Sequence, residues 1–150
     1  MHKKMLPLAL MYACEQEPIE GRTRLQKMVF LMQQRFKEQG KDPILSDSFN
    51  FIPYDYGPFS KDLYAELDSM SEKSMIKDSV EEIGNDNVKY DYSIQNQGIE
   101  FVENQIGKEE AETILQMAEE IKEEYNDVVL SDLIEDVYAE YPEYAKNSIY

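Results

Sequence analysis

The sequence predicts a mostly α-helical α+β fold, with a winged helix-turn-helix-like core, a β-hairpin wing and additional C-terminal helices. Two observations support it: apolar residues recur at three- and four-residue steps through most of the chain, and one region of strand character is divided by the turn-forming letters GNDN. The order helix, helix, short strand, helix, hairpin, helix is that of winged helix-turn-helix proteins. We expect one domain over residues 1–150, with its core at about 3–105 and a helical extension at about 108–142.

The first two helices are predicted from apolar periodicity. Residues 3–15 indicate an amphipathic helix that ends before Pro18. Its apolar side includes Cys14, the one cysteine of the chain, which we expect to be a buried, inert thiol in an intracellular protein. Residues 21–39 have the clearest helical pattern, and Gly40 ends it.

The middle of the chain combines a short strand with a third helix. Alternating apolar residues at 49–52 indicate the strand, and Pro53 and Pro58 exclude a long central one. Ser60 is a good N-cap residue, and the helix that follows it extends to about residue 73.

The second half predicts a hairpin and three further helices. Strands at about 75–82 and 88–94 flank the predicted turn, and short, long and final helices follow at 95–106, 108–125 and 131–141. The long helix is strongly acidic on its solvent side, and the C-terminal helices are candidates for completing the core and for a homodimer contact.

Charge is distributed unevenly along the chain. Residues 1–41 carry eight basic and four acidic residues, whereas residues 42–150 carry seven basic and 27 acidic residues, and the net charge is −16. Such a surface repels nucleic acid at long range. It suits either high solubility in a salty cytoplasm or a protein partner with a basic surface.

The helix after Ser60 occupies the position of a recognition helix, and its composition disfavours duplex DNA. It contains no Arg, Asn or Gln, the residues that commonly read base edges, and its four carboxylates would oppose phosphate contacts. A basic strip is expected only on the polar side of the second helix, at Arg22, Arg24 and Lys27.

The segment FIPYDYGPFS joins the strand to the third helix and has two interpretations. Pro58 and Gly57 restrict the backbone to a turn, from which Ser60 starts the helix, so the segment can be a packed structural turn. In that case Phe51, Phe59 and Tyr56 fill the seam beside the second helix. Alternatively, Tyr54, Asp55 and Tyr56 join Arg24 in a partner-binding patch, since Tyr and Arg are common in interface hot spots.

The sequence contains no enzyme signature. There is no phosphate-binding glycine loop, no nucleophile elbow and no metalloprotease motif, and the single histidine, His2, lies near the first residue. We therefore expect no catalytic residues, no cofactor and no metal. No run of 18 apolar residues predicts a membrane span, so a cytoplasmic location is expected.

Two stretches, RTRLQKMVFLMQ and PYDYGPFSKDLYAELDSM, resemble the Panacea family, whose members are also called SocA-like antitoxin domains. The matching residues, in order, are Leu25, Gln26, Lys27, Tyr56, Gly57, Pro58, Tyr64 and Leu67. The resemblance covers residues 20–72 well and the hairpin loosely. It implies a non-enzymatic, mostly helical binding domain that neutralises a toxin by contact or delivers one to a protease.

Three functions remain open at this stage. The first is a protein-binding module of the SocA/Panacea type that contacts a toxin or another basic factor. Its expected contact residues are Arg22, Arg24, Lys27, Tyr54, Asp55 and Tyr56, supported by the structural turn Gly57, Pro58 and Ser60. The second is a winged-helix transcriptional regulator that binds DNA through the three cations. The third is an acidic DNA mimic that inhibits a nucleic-acid enzyme.

Overall fold

The computed structural model describes residues 1–82, 84 and 88–150, and the described part is mostly helical with small antiparallel sheets. Its elements are α1 (Met5–Gln16), β1 (Ile19–Glu20), α2 (Arg22–Glu38), β2 (Ile52–Tyr54), β3 (Gly57–Phe59), α3 (Lys61–Glu72), β4 (Ile76–Glu82), β5 (Val88–Ile94), α4 (Asn96–Gln105), α5 (Glu109–Tyr125) and α6 (Leu130–Glu140). Short 3₁₀ turns occupy Asp42–Ile44 and Pro142–Ala145. The mostly α, α+β prediction is confirmed.

Helix α1 is fully buried over its first seven residues. Every residue from 5 to 11 is buried, because α5, β5, α2 and α4 all pack against it. The prediction of an amphipathic helix is therefore wrong here. A run of apolar side chains leaves residues 5–11 without a polar face, and neighbouring elements cover this part of the helix on all sides.

The end of α1 is held by a lysine from α5. Cys14, Glu15 and Gln16 all have positive φ angles, between 54° and 63°, which L-residues rarely adopt. This change of direction leaves main-chain carbonyls without helical N–H partners. Nζ of Lys122 donates hydrogen bonds to three of these carbonyls. Its acceptors are the carbonyls of Met11, Ala13 and Glu17, at 3.4, 2.7 and 2.5 Å. Burial lowers the pKa of Lys122 to about 8.

The larger sheet has the strand order β1–β5–β4, all antiparallel. Strands β4 and β5 pair in continuous register from Ile76 opposite Ile94 to Glu82 opposite Val88, which confirms the predicted strands. The predicted turn between them includes residues 85–87, which lie outside the described residues. Strand β1 adds a third strand that the sequence did not indicate.

The C-terminal helices pack onto the N-terminal ones. Helix α5 contacts α1 and α2, and α6 contacts α2. The ring of Phe30 in α2 meets the rings of Phe51, Tyr141 and Tyr144 edge-on, with centroids 4.7–5.3 Å apart. Residues 108–142 thus contribute to the same hydrophobic core as the first helices.

In the part of the chain that the structure describes, no helix is both long enough and apolar enough to cross a bilayer.

Candidate protein-binding surface

Two strands, β2 and β3, form a tight hairpin around the segment FIPYDYGPFS. Ile52 pairs with Phe59, Pro53 with Pro58 and Tyr54 with Gly57. Ser60 then begins α3 as predicted: its Oγ accepts from the N–H of Leu63 at 3.2 Å and donates to the carboxylate of Asp62. The hairpin is therefore fixed directly to the first turn of α3.

The side-chain amide of Gln26 in α2 both donates to and accepts from the main chain of Ser60. Its Nε2 donates to the carbonyl of Ser60 at 3.1 Å, and its Oε1 accepts from the N–H of Ser60 at 3.0 Å. Both groups are buried. One side chain thus supplies the hydrogen bonds that a neighbouring strand would otherwise supply at this position.

We expect Gln26→Ala to lower the free energy of unfolding by about 1–3 kcal/mol, because it leaves the buried N–H of Ser60 without a partner and removes one of the two donors to its C=O, which keeps the N–H of Tyr64. Urea denaturation measures the change. The exposed Gln116→Ala in α5 is a matched control and should change stability by less than about 0.5 kcal/mol. Equal effects of the two substitutions would show that the Gln26 pairing contributes nothing.

Lys27 follows Gln26 and points into the same seam. Its side chain is 3% exposed, and its Nζ donates to the carbonyl of Pro58 at 3.2 Å. Burial lowers the pKa of Lys27 to about 7. Gly57, with φ of +100°, lies beside it, and a Cβ at Gly57 would come within 2.9 Å of the ring of Tyr138.

The predicted basic strip on α2 is therefore wrong for two of its three residues. Arg24 is buried, and it donates to the carbonyls of Tyr125 and Glu20 at 2.6 and 3.2 Å, rather than facing solvent. Lys27 is buried as well. Long basic side chains can bury their apolar stems and reach carbonyls, so a cation in a helical pattern does not by itself mark a solvated face.

The tip of the hairpin carries exposed apolar side chains. Ile52, Tyr54 and Tyr56 are 43%, 50% and 45% exposed. The exposure of Tyr54 agrees with its predicted place in a partner-binding patch. Tyr56 is exposed too, so it does not fill the seam beside α2 together with Phe51. Asp55, between the two tyrosines, is partly exposed. Three large apolar side chains within five residues form an exposed patch on a rigid turn.

An aromatic row continues this patch across α3 to β5. The ring of Tyr54 lies 5.0 Å from that of Phe59, which meets the ring of Tyr64 edge-on at 5.2 Å. The guanidinium of Arg22 lies 5.4 Å from the centroid of the Tyr64 ring and 3.7 Å from that of Tyr90. We call Ile52, Tyr54, Tyr56, Phe59, Tyr64, Arg22 and Tyr90 the aromatic surface.

Arg22 is the one predicted cation that reaches this surface. Its Nε donates to the hydroxyl of Tyr92 at 3.0 Å, and desolvation raises the pKa of that hydroxyl to about 12. Among the described residues, no carboxylate lies within 4 Å of its guanidinium. In a chain with 31 acidic residues, this arginine is stacked on tyrosines instead of being neutralised.

Sequence reasoning missed Tyr64 and Tyr90 as members of this surface. Tyr64 was named only as one of the residues that match the family, and Tyr90 only fell within a predicted strand. The approach of Tyr90 to Arg22 depends on β5 pairing with β1, which ends just before α2. A two-residue strand gives too little pattern to predict that pairing.

One group of side chains in the described part of the chain has the spacing of a metal site. The ligand atoms of Cys14, Glu119 and Glu123 lie within 4.8 Å of one another. The thiol of Cys14 is only partly buried, contrary to prediction, and desolvation raises its pKa, so it has no thiolate character that would favour a metal or a nucleophilic role. The buried ammonium of Lys122 next to the group further disfavours a cation.

A family model described as "Antitoxin SocA-like, Panacea domain" matches residues 25–147. The match includes the interlocked residues Gln26, Lys27, Gly57 and Pro58, and it begins after Arg22 and Arg24. No curated protein matches the chain.

Proposed function

The chain belongs to the SocA-like Panacea family of antitoxin-like domains, and from this premise we propose that it is a non-enzymatic module that neutralises a protein partner by direct contact. The observation that carries the proposal is the aromatic surface, in which exposed tyrosines and a stacked arginine lie on rigid elements. Tyr and Arg are enriched in interface hot spots: tyrosine buries a large area at low entropic cost, and arginine combines several hydrogen-bond donors with stacking on aromatic rings.

The acidic character of the chain supports a basic partner. A net charge of −16 speeds encounter with a positively charged protein and opposes encounter with nucleic acid. Burial of Arg24 and Lys27 also removes two of the three cations on which a DNA-binding role through α2 would rest. The DNA-mimic role and a homodimer remain untested predictions.

The winged-helix arrangement is part of the proposal. In it, α3 occupies the position of the recognition helix and the β4–β5 hairpin that of the wing. The three-stranded order β1–β5–β4 and the element order support this arrangement. Its function here would be to hold the aromatic surface, which lies at the junction of β2–β3, α3 and β5.

The test is a growth-rescue assay with the product of the adjacent gene. If that product arrests growth when expressed alone, co-expression of this chain should restore growth, and the double variant Tyr54→Ser/Tyr56→Ser should reduce binding at least tenfold, because hot-spot tyrosines contribute 2 kcal/mol or more. Isothermal titration of the purified pair measures the loss.

The control is Val129→Ser, which removes a side chain of comparable exposure, 66%, outside the aromatic surface. Circular dichroism should show that both variants remain folded, since the substituted side chains are exposed. A tyrosine variant that binds as tightly as Val129→Ser would exclude the aromatic surface as the contact site. An adjacent product that is neither toxic nor bound would count against the antitoxin function itself.

A further inference from the structure

The β4–β5 hairpin has one face that is buried at its base and exposed towards its tip. Residues directly opposite each other in an antiparallel pair project to the same face, as do residues two apart on one strand. At the base of this face Ile76 is opposite Ile94, and both are buried. Two pairs further along the same face, Val80 is opposite Tyr90, and Val80 is 58% exposed. The face that covers the core therefore continues beyond the core.

The exposed end of this face is apolar where a solvated strand face is normally polar. Val88, which lies opposite Glu82, is 45% exposed. Antiparallel sheets usually place polar residues on the side that meets water, so two exposed valines on one face are typical of a surface that a partner covers. We call this surface the hairpin face, and its members are Asp78, Val80, Glu82, Val88 and Tyr90.

Helix α3 borders the hairpin face on one side. It packs against β4, and a cavity of about 90 Å³ between them is lined by residues of α2, α3 and both strands, which are Arg22, Tyr64, Leu67, Asp68, Asp78 and Tyr92. The guanidinium of Arg22 lies over the rings of both Tyr64 in α3 and Tyr90 in β5. The hairpin face and the aromatic surface therefore meet at Arg22 and form one continuous surface.

Charges are segregated between the two faces of the hairpin. Lys77 and Lys89 lie on the face opposite to the hairpin face, because they alternate with its members along β4 and β5. The hairpin face itself carries Asp78 and Glu82, and Asp68 of α3 lies at its border. Carboxylates that surround exposed apolar side chains are complementary to a surface that carries cations around an apolar group.

We propose that the hairpin face is a second part of the contact site for the protein partner, and that it binds an apolar side chain of the partner that is flanked by Lys or Arg. This assignment rests on the proposed function and specifies the chemistry of the partner surface. The apolar side chain covers Val80 and Val88, and the flanking cations pair with Asp68, Asp78 and Glu82. A second copy of this chain or duplex DNA would bring further negative charge to these carboxylates.

The test uses as its probe a short amphipathic helical peptide made of leucine and lysine, which has an apolar side flanked by cations. Methyl NMR of the full chain at increasing peptide concentrations maps where the probe binds. The methyl resonances of Val80 and Val88 should shift together and saturate. Those of Val129, which is exposed outside this surface, should stay in place.

An apolar variant tests the contribution of the two valines. Val80→Thr/Val88→Thr keeps the β-branched shape and replaces two exposed methyl groups by hydroxyls. Its affinity for the peptide should fall about fivefold or more, because apolar area is lost from the contact. Val129→Thr makes the same replacement elsewhere and should change the affinity by less than about twofold. Circular dichroism checks that both variants are folded.

A charge variant tests the carboxylates. Asp68→Asn/Glu82→Gln removes two exposed negative charges at the hairpin face and should weaken peptide binding about threefold to tenfold. Glu110→Gln/Glu120→Gln removes the same charge from exposed positions of α5, and it should weaken binding by less than about twofold.

Several outcomes would overturn the proposal: no peptide binding at millimolar concentration, shifts confined to other residues, or equal affinities of the two threonine variants. Equal weakening by the two charge variants would also overturn it, since the attraction would then depend only on net charge. Self-association or duplex binding that shifts the Val80 and Val88 methyl resonances would assign the face to another occupant. These results leave the growth-rescue test unaffected, because that test changes only Tyr54 and Tyr56.

Discussion

Gly98→Ala is expected to lower the free energy of unfolding by about 2–3 kcal/mol. A Cβ at Gly98 would lie 2.2 Å from the carbonyl oxygen of Met75 and 2.8 Å from Cγ1 of Ile94. The Met75 oxygen cannot move aside freely, since it accepts the N–H of Gln95 at 2.9 Å where α4 begins. Relief would require a shift of α4 relative to the strands, and overpacking that shifts the backbone typically costs about 1–3 kcal/mol.

Whether Gly98→Ala lowers or raises the free energy of unfolding shows which contribution is larger, the steric clash with Met75 or the higher helix propensity of alanine. Gly98 lies inside α4 with an ordinary helical φ, so propensity alone would make alanine about 1 kcal/mol more stable than glycine. Urea denaturation of the purified variant decides between the two. Gly40→Ala is a useful comparison: its Cβ would meet nothing within 4 Å, and its positive φ should cost only about 1 kcal/mol. A neutral or stabilising Gly98→Ala would contradict the close approach of α4 to Met75.

Local pattern predicted most of the helices and the β4–β5 pair, because the 3.6- and 2-residue periods are properties of neighbouring residues. It failed where the deciding partner is distant in sequence. Lys27 and Arg24 looked solvated in their helix, and their acceptors belong to Pro58 and Tyr125, which are 31 and 101 residues away. The all-round burial of α1 depends in the same way on elements that form much later in the chain.

The candidate site was predicted in part for the same reason. The exposure of Tyr54 and the N-cap role of Ser60 follow from local chemistry, and both agree with the structure. The stacking of Arg22 on Tyr90 requires β1 to pair with β5, which a two-residue strand does not reveal. Whether these residues bind a partner is a proposal that the growth-rescue assay tests.

The geometry also explains what the family motif encodes. Gln26 and Lys27 bind the main chain of Ser60 and Pro58, and Gly57 makes room for Tyr138, so the two conspicuous stretches of sequence are one interlocked unit. These contacts fix the angle between α2 and α3 and are buried. The matching residues Gln26, Lys27 and Gly57 therefore hold the hairpin against α2 and α6.

Stability should rise with pH between about 7 and 10, and Lys27→Met should remove about half of that rise. Burial lowers the pKa of Lys27 from 10.5 to about 7 and that of Lys122 to about 8. Between these values and 10.5 the unfolded chain binds more protons than the folded chain, so unfolding takes up protons. Raising the pH makes that uptake less favourable and therefore favours folding. Each lysine contributes a slope of about 1.4 kcal/mol per pH unit where only its unfolded form is protonated.

The measurement is a series of urea denaturation curves from pH 7 to 9.5. Above pH 10, ionisation of tyrosines reverses the trend, because Tyr92 has a pKa raised to about 12 and ionises first in the unfolded chain. Lys27→Met cannot titrate, so it should keep only the slope due to Lys122, and it should equal or exceed the unmodified chain in stability near pH 7. Lys61→Met alters an exposed lysine and should leave the slope unchanged. A free energy of unfolding that does not change across this range in the unmodified chain would show that Lys27 is hydrated and protonated in the folded state. That result would contradict the burial of Lys27 between α2 and the hairpin.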